Sequence, residues 1–582
     1  MWGNLSKSRK VYVGAGIIIA VIVLLLLIVN LVVSRIAESK IRDAINKSES
    51  AYQIDFRRAK INLFTMSVIL KDVVVTPDSN LMQQFKLHES IQKSLYKVEI
   101  PILRLRHLNV ISMLDTKVID IKEIIFDNVM LTVYTGGGKQ EKRKLTKEQV
   151  DKGININRIA LPTIGGVDIG VIKFINFTLY IVDPLKVDTL LNNSGADFTL
   201  DNLSLIKNPL DTNTFRLKLK DVRLDIENET FDFYTKDYGI SFARLSFSVK
   251  SQLLHLEGFK VTPKKNMYAM AAAMKFRGDV FNVVIDQMDV HLGNVKDMVL
   301  SGGYYFPQID FDGLKLFVLR NRSLPFDETK RPLLPNQLLK TMTTGLTIDS
   351  IFITNSQLVY EESNNDKVAS MKVSLDDLNV TMSDVTSIRD SMDINTPMKI
   401  LLNAKLQKLI PFEVDFTFPL LSARDTFNYH GSMGGGSMSI FNPMLESAAG
   451  VKFSTGDLKS IQFAVEANDT YAMGTMTMLY NDLEGTVLKN DGHQDNKVLS
   501  WIANQVIRAD NPFPGENPRK VPIYFDRAMY KGFGNFAFKP LLSGILATTI
   551  PTFDKSNQKS IDVVNQTTKR DLRKRRREEK RK

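Results

Sequence analysis

Residues Asn62–Pro77 read NLFTMSVILKDVVVTP, Phe215–Glu227 read FRLKLKDVRLDIE and Tyr471–Tyr480 read YAMGTMTMLY. In each, apolar and polar residues alternate with period two, and Val, Ile, Thr, Phe and Tyr are frequent, which is the pattern of strands with one buried face. The fold expected from them is mainly β and antiparallel. In the second stretch Phe215, Leu217 and Leu219 share one face, whereas Val222, Leu224 and Ile226 continue on the opposite parity. That change predicts a bulge or turn at Lys220–Asp221. Short connecting helices are predicted at Leu81–Lys97, Pro335–Thr341, Pro443–Ala448 and Lys497–Arg508.

Working outward, similar runs recur. Ile121–Tyr134 reads IKEIIFDNVMLTVY, Ile172–Tyr180 reads IKFINFTLY and Ile348–Tyr360 reads IDSIFITNSQLVY. The shared theme is an apolar strand, a tight turn at Asn and a second strand ending in Tyr. VILKDVVVTPDS from Val68 and LHLEGFKVTPKK from Leu254 both place an aliphatic strand before Val-Thr-Pro, where proline ends the strand. The spacing is irregular, which predicts hairpins stacked along one long sheet: an elongated, curled β-groove or solenoid, with a pair of separate sandwiches as the alternative.

Ahead of the strands, Val11–Val33 holds 23 uncharged residues. At helical rise this is roughly 34 Å, enough for a hydrocarbon core of about 30 Å. A cleaved signal peptide has a shorter apolar region and a small-residue cleavage site, whereas here the run continues into SRIAESKIRDAI. The expected arrangement is a single-pass anchor with a cytoplasmic N-terminus, from Lys7, Arg9 and Lys10, and the main domain on the far side. LLSGILATTI, Leu541–Ile550, is too short for a second span.

The net charge of +12 is concentrated at the ends. Lys569–Lys582 carries ten Lys or Arg against three acidic residues, and the first ten residues add three positive charges, so the body is almost neutral. A nucleic-acid groove is not supported by that distribution. The absence of cysteine excludes disulfides and thiolate-ligated metal. The six histidines show no ligand spacing, Gly136–Gly138 lacks the Lys-Ser/Thr ending of a phosphate loop, Asp491–Asn496 does not have EF-hand spacing, and no nucleophile elbow is present. The expectation is a protein with no enzymatic activity, no cofactor and no metal.

Two segments resemble the AsmA-like family of bridge-like lipid transfer proteins. The first is the span followed by FRRAKINLFTMSVILKDVVVTPD. The second, more specific, is SMGGGSMSIFNPMLESAAGVKFSTGDLKSIQFAVEANDTYAMGTMTMLYNDLEGTVL within 431–488, with KGFGNFAFKPLLSGI fitting the segment after it. The glycines Gly434–Gly436 and the basic tail depart from the family pattern. The resemblance implies a bacterial inner-membrane protein with a periplasmic β-groove that shields lipid chains, phospholipid foremost. Its partners would be membrane lipids, the inner membrane and an outer-membrane or envelope component, in support of outer-membrane biogenesis.

The division expected is 1–10 cytoplasmic, 11–33 span, 34–265 N-terminal groove, 266–430 middle β region, 431–550 C-terminal module and 551–582 a disordered basic tail. Gly474, Met476, Met478 and Tyr480 share one strand face and are the groove candidates, because adaptable methionine suits varied acyl chains; packing in a closed core is the competing reading. Arg573, Lys574, Arg575, Arg576 and Arg577 are candidates for contact with anionic head groups. A non-transporting scaffold for outer-membrane proteins and a signalling ectodomain are the rival functions.

Overall fold

The computed structural model describes residues 38–39, 42–43, 52–87, 94–109, 118–135, 166–183, 188–208, 211–231, 237–295, 297–298, 303–364, 369–393, 395–487 and 507–579. The expected span, the Gly136–Gly138 tip, Asp491–Asn496 and nearly all of the helix expected at Lys497–Arg508 lie outside them. Among the described residues no helix is long and apolar enough to cross a membrane. The fold is mainly β. It divides into two compact units, Met1–Leu256 with Val295–Ser301, and Glu257–Asn294 with Gly302–Lys582.

The first unit contains β1 (Tyr52–Asp55), β2 (Arg58–Asn62), β3 (Ser67–Pro77), helix α1 (Ser79–Lys86), β4 (Ser94–Leu108), β5 (Val118–Asp127), β6 (Met130–Thr135), β7 (Gly166–Asp183), β8 (Asp188–Asn208), β9 (Asp211–Phe231) and β10 (Tyr238–Ser248). Helix α1 follows the strand-ending Pro77 and is capped by Asp78, whose carboxylate accepts from Leu81 N at 2.7 Å. It is shorter than the helix expected at Leu81–Lys97, because the period-two pattern resumes and β4 begins at Ser94. β1 and β2 pair with β3, β3 with β4, and β7 through β10 in chain order, all antiparallel.

Two expectations are corrected here. Asn128 makes no hairpin turn. β5 and β6 both pair antiparallel with β4 in one unbroken register, so they are two halves of a single strand with Asn128 at φ 58° between them. Nor is the sheet wholly antiparallel, since both halves pair parallel with β7. Parallel pairing needs a crossover of a dozen residues or more, and residues 136–165 separate β6 from β7.

The second unit holds helix α2 (Met267–Ala272), β12 (Asp279–His291), β13 (Tyr304–Asp312), β14 (Lys315–Asn321), α3 (Pro335–Thr341), β15 (Leu346–Ser363), β16 (Ala369–Thr386), β17 (Met398–Leu406), β18 (Ile410–Phe418), β19 (Phe427–Met433), α4 (Asn442–Ala449), β22 (Asp457–Ala467), β23 (Tyr471–Asn481), β25 (Lys520–Asp526), α5 (Phe533–Thr549) and α6 (Pro551–Glu579). β11 (Leu253–Pro263) falls across the boundary of the units, β20 (Gly436–Ser437) adds to β22, and β21 (Val451–Phe453) pairs with β24 (Gly485–Val487). From β15 the sheet runs antiparallel through β16, β17, β18, β19, β22, β23 and β25. Helices α3 and α4 stand where the sequence predicts them.

β4–β8 and β12–β16 are two copies of one module. In the second copy β13 and β14 pair antiparallel with β12 and parallel with β15, as β5 and β6 do with β4 and β7. Asn128 N donates to Ile175 O at 2.9 Å and Gly313 N to Thr354 O at 3.0 Å; Thr178 N donates to Val129 O at 2.7 Å and Gln357 N to Leu314 O at 2.8 Å. Asn176 N bonds Asp197 Oδ1 at 2.8 Å, and Asn355 N bonds Asn379 Oδ1 at 3.3 Å.

Each copy has two levels at which neighbouring strands break their pleat together. One runs through Asn128 and Asn176, or Gly313 and Asn355; the other through Asn202 or Asp384, all at positive φ. Asn and Asp tolerate that conformation. The parity change at Lys220–Asp221 belongs to the second kind of level. β8 and β9 keep register across it, so it is a seam shared by adjacent strands, with no inserted residue. At this level Gly170 has no room for a side chain: a Cβ would lie 2.7 Å from Lys122 O.

Candidate functional site

Across the seams, apolar side chains continue on one face, as Leu200 and Leu203 do on either side of Asn202. Across the strands of the first unit, Leu70, Leu103, Phe126, Phe174, Phe198, Leu224 and Phe247 are register partners in turn, and direct partners share a face. All seven are half-buried. Leu105, Ile124, Ile172, Leu200 and Val222 form the adjacent row. At ~4.8 Å per strand the first row extends roughly 29 Å. Its centre is aromatic: Phe126 stacks on Phe174 at 4.6 Å, Phe174 on Phe198 at 4.1 Å, and Phe177 meets Phe198 edge-on at 5.3 Å.

The reverse face is ionic. Arg104 pairs with Asp127 at 2.8 Å, Glu123 with Arg106 at 3.1 Å and Lys173 at 2.8 Å, Arg244 with Asp225 at 3.0 Å, and Arg223 with Asp201. The Lys173 hydrogen bond, helped by Arg106 and opposed by burial, holds the Glu123 carboxyl below its ordinary value. A sheet with one charged, ion-paired face and one apolar, partly open face can lie between water and an apolar ligand without any reacting group.

The second unit has an equally continuous row, Met288, Phe311, Ile353, Val380, Leu402, Val414, Gly431, Phe463, Met476 and Val521. Its far end is closed by α5. A Cβ on Gly544 would come within 2.8 Å of Met476 Cε and 3.0 Å of Ile523 Cγ1, so the helix touches the sheet there. Phe533 packs against Phe416 and Phe427 at 5.8 and 5.6 Å, and the Tyr429 hydroxyl donates to Ala537 O at 2.9 Å.

The groove candidates are corrected accordingly. Met476, Met478 and Tyr480 are 1%, 0% and 0% exposed; they form the floor of a closed core under α5 and leave no open groove. The Tyr480 hydroxyl donates to Arg508 O at 3.2 Å, and burial pushes its pKa up to about 12. Gly474 lies in the same strand, where a Cβ would sit 2.0 Å from Ala464 O, so its role is close backbone approach. The expected disordered tail is also corrected: Arg573, Lys574, Arg575, Arg576 and Arg577 fall within α6, a 29-residue helix. Pro551 opens it at a position where proline is favoured, and its Lys, Arg, Gln and Glu are good helix formers. Near its start, buried Asn557 donates to Pro522 O and Ser543 Oγ, both at 2.9 Å.

Sequence reading missed the phenylalanine row, although IIFD, FINF and ADFTL place Phe126, Phe174 and Phe198 on apolar parity. Period two gives the face of each residue, but the alignment between strands comes only from register. No family model matches the chain, and no curated protein matches it.

Proposed function

We propose that this protein is a membrane-anchored component of a bacterial cell envelope that shields lipid acyl chains against the open apolar face of its first unit, in the manner implied by its resemblance to AsmA-like proteins. The observation that carries this reading is the half-buried row from Leu70 to Phe247, backed by an ion-paired reverse face. Exposing a 16-carbon chain to water costs on the order of 13 kcal/mol at ~0.8 kcal/mol per CH2, and a row of roughly 29 Å is about twice the depth of one leaflet. In this reading Val11–Val33 fixes the protein to the inner membrane, and the basic end of α6 meets phosphate head groups.

The test is purification of the full chain in mild detergent with mass spectrometry of co-purified lipids. Phe174→Glu puts a carboxylate among three phenylalanines, Phe126, Phe177 and Phe198, and should strip the lipid; Thr199→Glu, on the ionic face in register with Lys173 and Arg223, should not. Equal lipid in wild type and Phe174→Glu would sink the proposal. The closure of the far end of the second unit's row by α5 favours a second reading for that part of the chain, a scaffold for outer-membrane proteins; an intact protein that carries no lipid but cross-links to such a protein would establish it.

A further inference from the structure

We propose that Arg277, Arg322, Lys531 and Lys539 of the second unit form a binding site for a phosphate group. Parallel pairing of β14 with β15 sets Arg320 beside Glu362 and Leu319 beside Glu361. Around Arg320 and Glu362 gather Arg277 from the segment after α2, Arg322 from the residue after β14, Lys531 from the residue before the cap of α5, and Lys539 from within it.

The carboxylates are already engaged. Asp279 takes Arg320 through two bonds of 2.7 and 2.8 Å. Glu361 accepts from the Tyr268 hydroxyl, and Glu362 accepts from the Tyr360 hydroxyl at 3.0 Å and from Ser447 Oγ at 3.3 Å. Five cations therefore gather around two carboxylates, Asp279 and Glu362, which leaves an excess of positive charge, while Glu361 is on the opposite face of β15.

Two of these cations are held on one ring. The Arg277 guanidinium carbon is 4.1 Å and Lys531 Nζ 4.4 Å from the centre of Phe326, so the two charges lie within the sum of those distances of each other. Tyr530 packs against the same ring at 5.3 Å. Arg277 is braced from behind, its Nε donating to Leu324 O at 3.0 Å and its NH2 to Arg322 O. Arg322 NH1 donates to Ser447 Oγ at 3.0 Å.

Burial, and then neighbouring positive charge, push Lys531 and Lys539 below the ordinary lysine value: Arg277 and Arg320 act on the first, Lys531 on the second. Partly buried like charges oppose folding unless an anion offsets them. A phosphate monoester carries about −1.5 to −2 charge and three acceptor oxygens, which matches both the excess and the mix of a guanidinium fork with point-charge ammonium groups. All four side chains are half-buried, hence reachable from solvent. Exposed Met529 and Phe538 adjoin Tyr530 and Lys539 in the chain, so the phosphate could belong to a lipid head group as well as to a free ion.

The site does not depend on the acyl-chain reading. Calorimetric titration of the full chain in mild detergent with inorganic phosphate, and in parallel with phosphatidic acid against phosphatidylcholine in mixed micelles, tests it. Binding of inorganic phosphate assigns a free-ion site, and binding of phosphatidic acid alone assigns a head-group site. In either case Lys531→Gln with Lys539→Gln should weaken affinity about tenfold or more with an unfolding midpoint equal to or above wild type. Lys531→Arg with Lys539→Arg should retain binding, as should Lys315→Gln, whose lysine is paired with Asp286 at 3.0 Å on the surface. Phe174→Glu should leave phosphate affinity unchanged even where it strips lipid. No binding of either probe by the intact protein, or unchanged affinity in the double glutamine variant, overturns the proposal.

Discussion

Asn176 and Asn355 stand at corresponding places in two copies of one module, each with positive φ and each tied through its backbone N–H to the side chain of the next strand. Asn355 also donates to Asp312 at 2.6 Å. Asn355→Val should cost about 2–3 kcal/mol, from a left-handed β-branched residue and the lost side-chain bond, whereas Asn355→Gly should cost less than half as much; denaturant midpoints will separate the two. The asparagines themselves are legible in the sequence, and their turn-like signature predicts hairpins. That signature is local, common to a turn and to a seam, and the distinction lies in partner strands far along the chain. Tyr480 gives a second check. Its folded pKa, raised by burial from 10.0 to about 12, means that the folded state keeps a proton the unfolded chain releases above pH 10. Its contribution to stability is therefore complete below pH 10 and is lost as pH rises from 10 toward 12. Tyr480→Phe should flatten the decline of the urea midpoint across that interval; an unchanged slope would show that Tyr480 does not titrate as its burial requires.

At the scale of elements, α5 decides which apolar faces remain open. Gly534 and Pro540 lie inside it, and both are breakers by local rules. What holds the helix is tertiary: Gly544 against Met476, Tyr429 bonded to Ala537 O, and Arg508 donating to Ala547 O and Thr548 O, both at 3.2 Å, at the carbonyl end. Gly544→Leu should destabilise by about 1–3 kcal/mol through overpacking against Met476 and Ile523, with a lowered unfolding midpoint and no change in co-purified lipid. A charge at Met478, which is fully buried, would report on the folding of this core and not on lipid. The alternation that picked out Met476, Met478 and Tyr480 correctly gave them a shared face. It carried no information about the cover, because a strand's period is the same under a helix, a lipid or another sheet.

At the scale of the whole molecule, the two units solve the same problem differently. Each continues an apolar row across successive strands; the second buries its row's end under α5, while the first leaves Leu70 to Phe247 half-buried. Strands lacking a packed second layer open more readily, since fewer buried apolar contacts are lost on opening. Hydrogen exchange on the full chain should therefore find β22, β23 and β25 the slowest amides and β7 to β9 distinctly faster. Adding lipid should slow exchange in β5 and β7 to β9 and leave β22 to β25 nearly unchanged, because only the first set has apolar surface for a ligand to cover. A scaffold that binds outer-membrane proteins without carrying lipid would show no such lipid-dependent change in the first unit. Uniform protection in both units before lipid is added would mean that the first unit's row is already covered, and the acyl-chain reading would then lose the open face on which it stands.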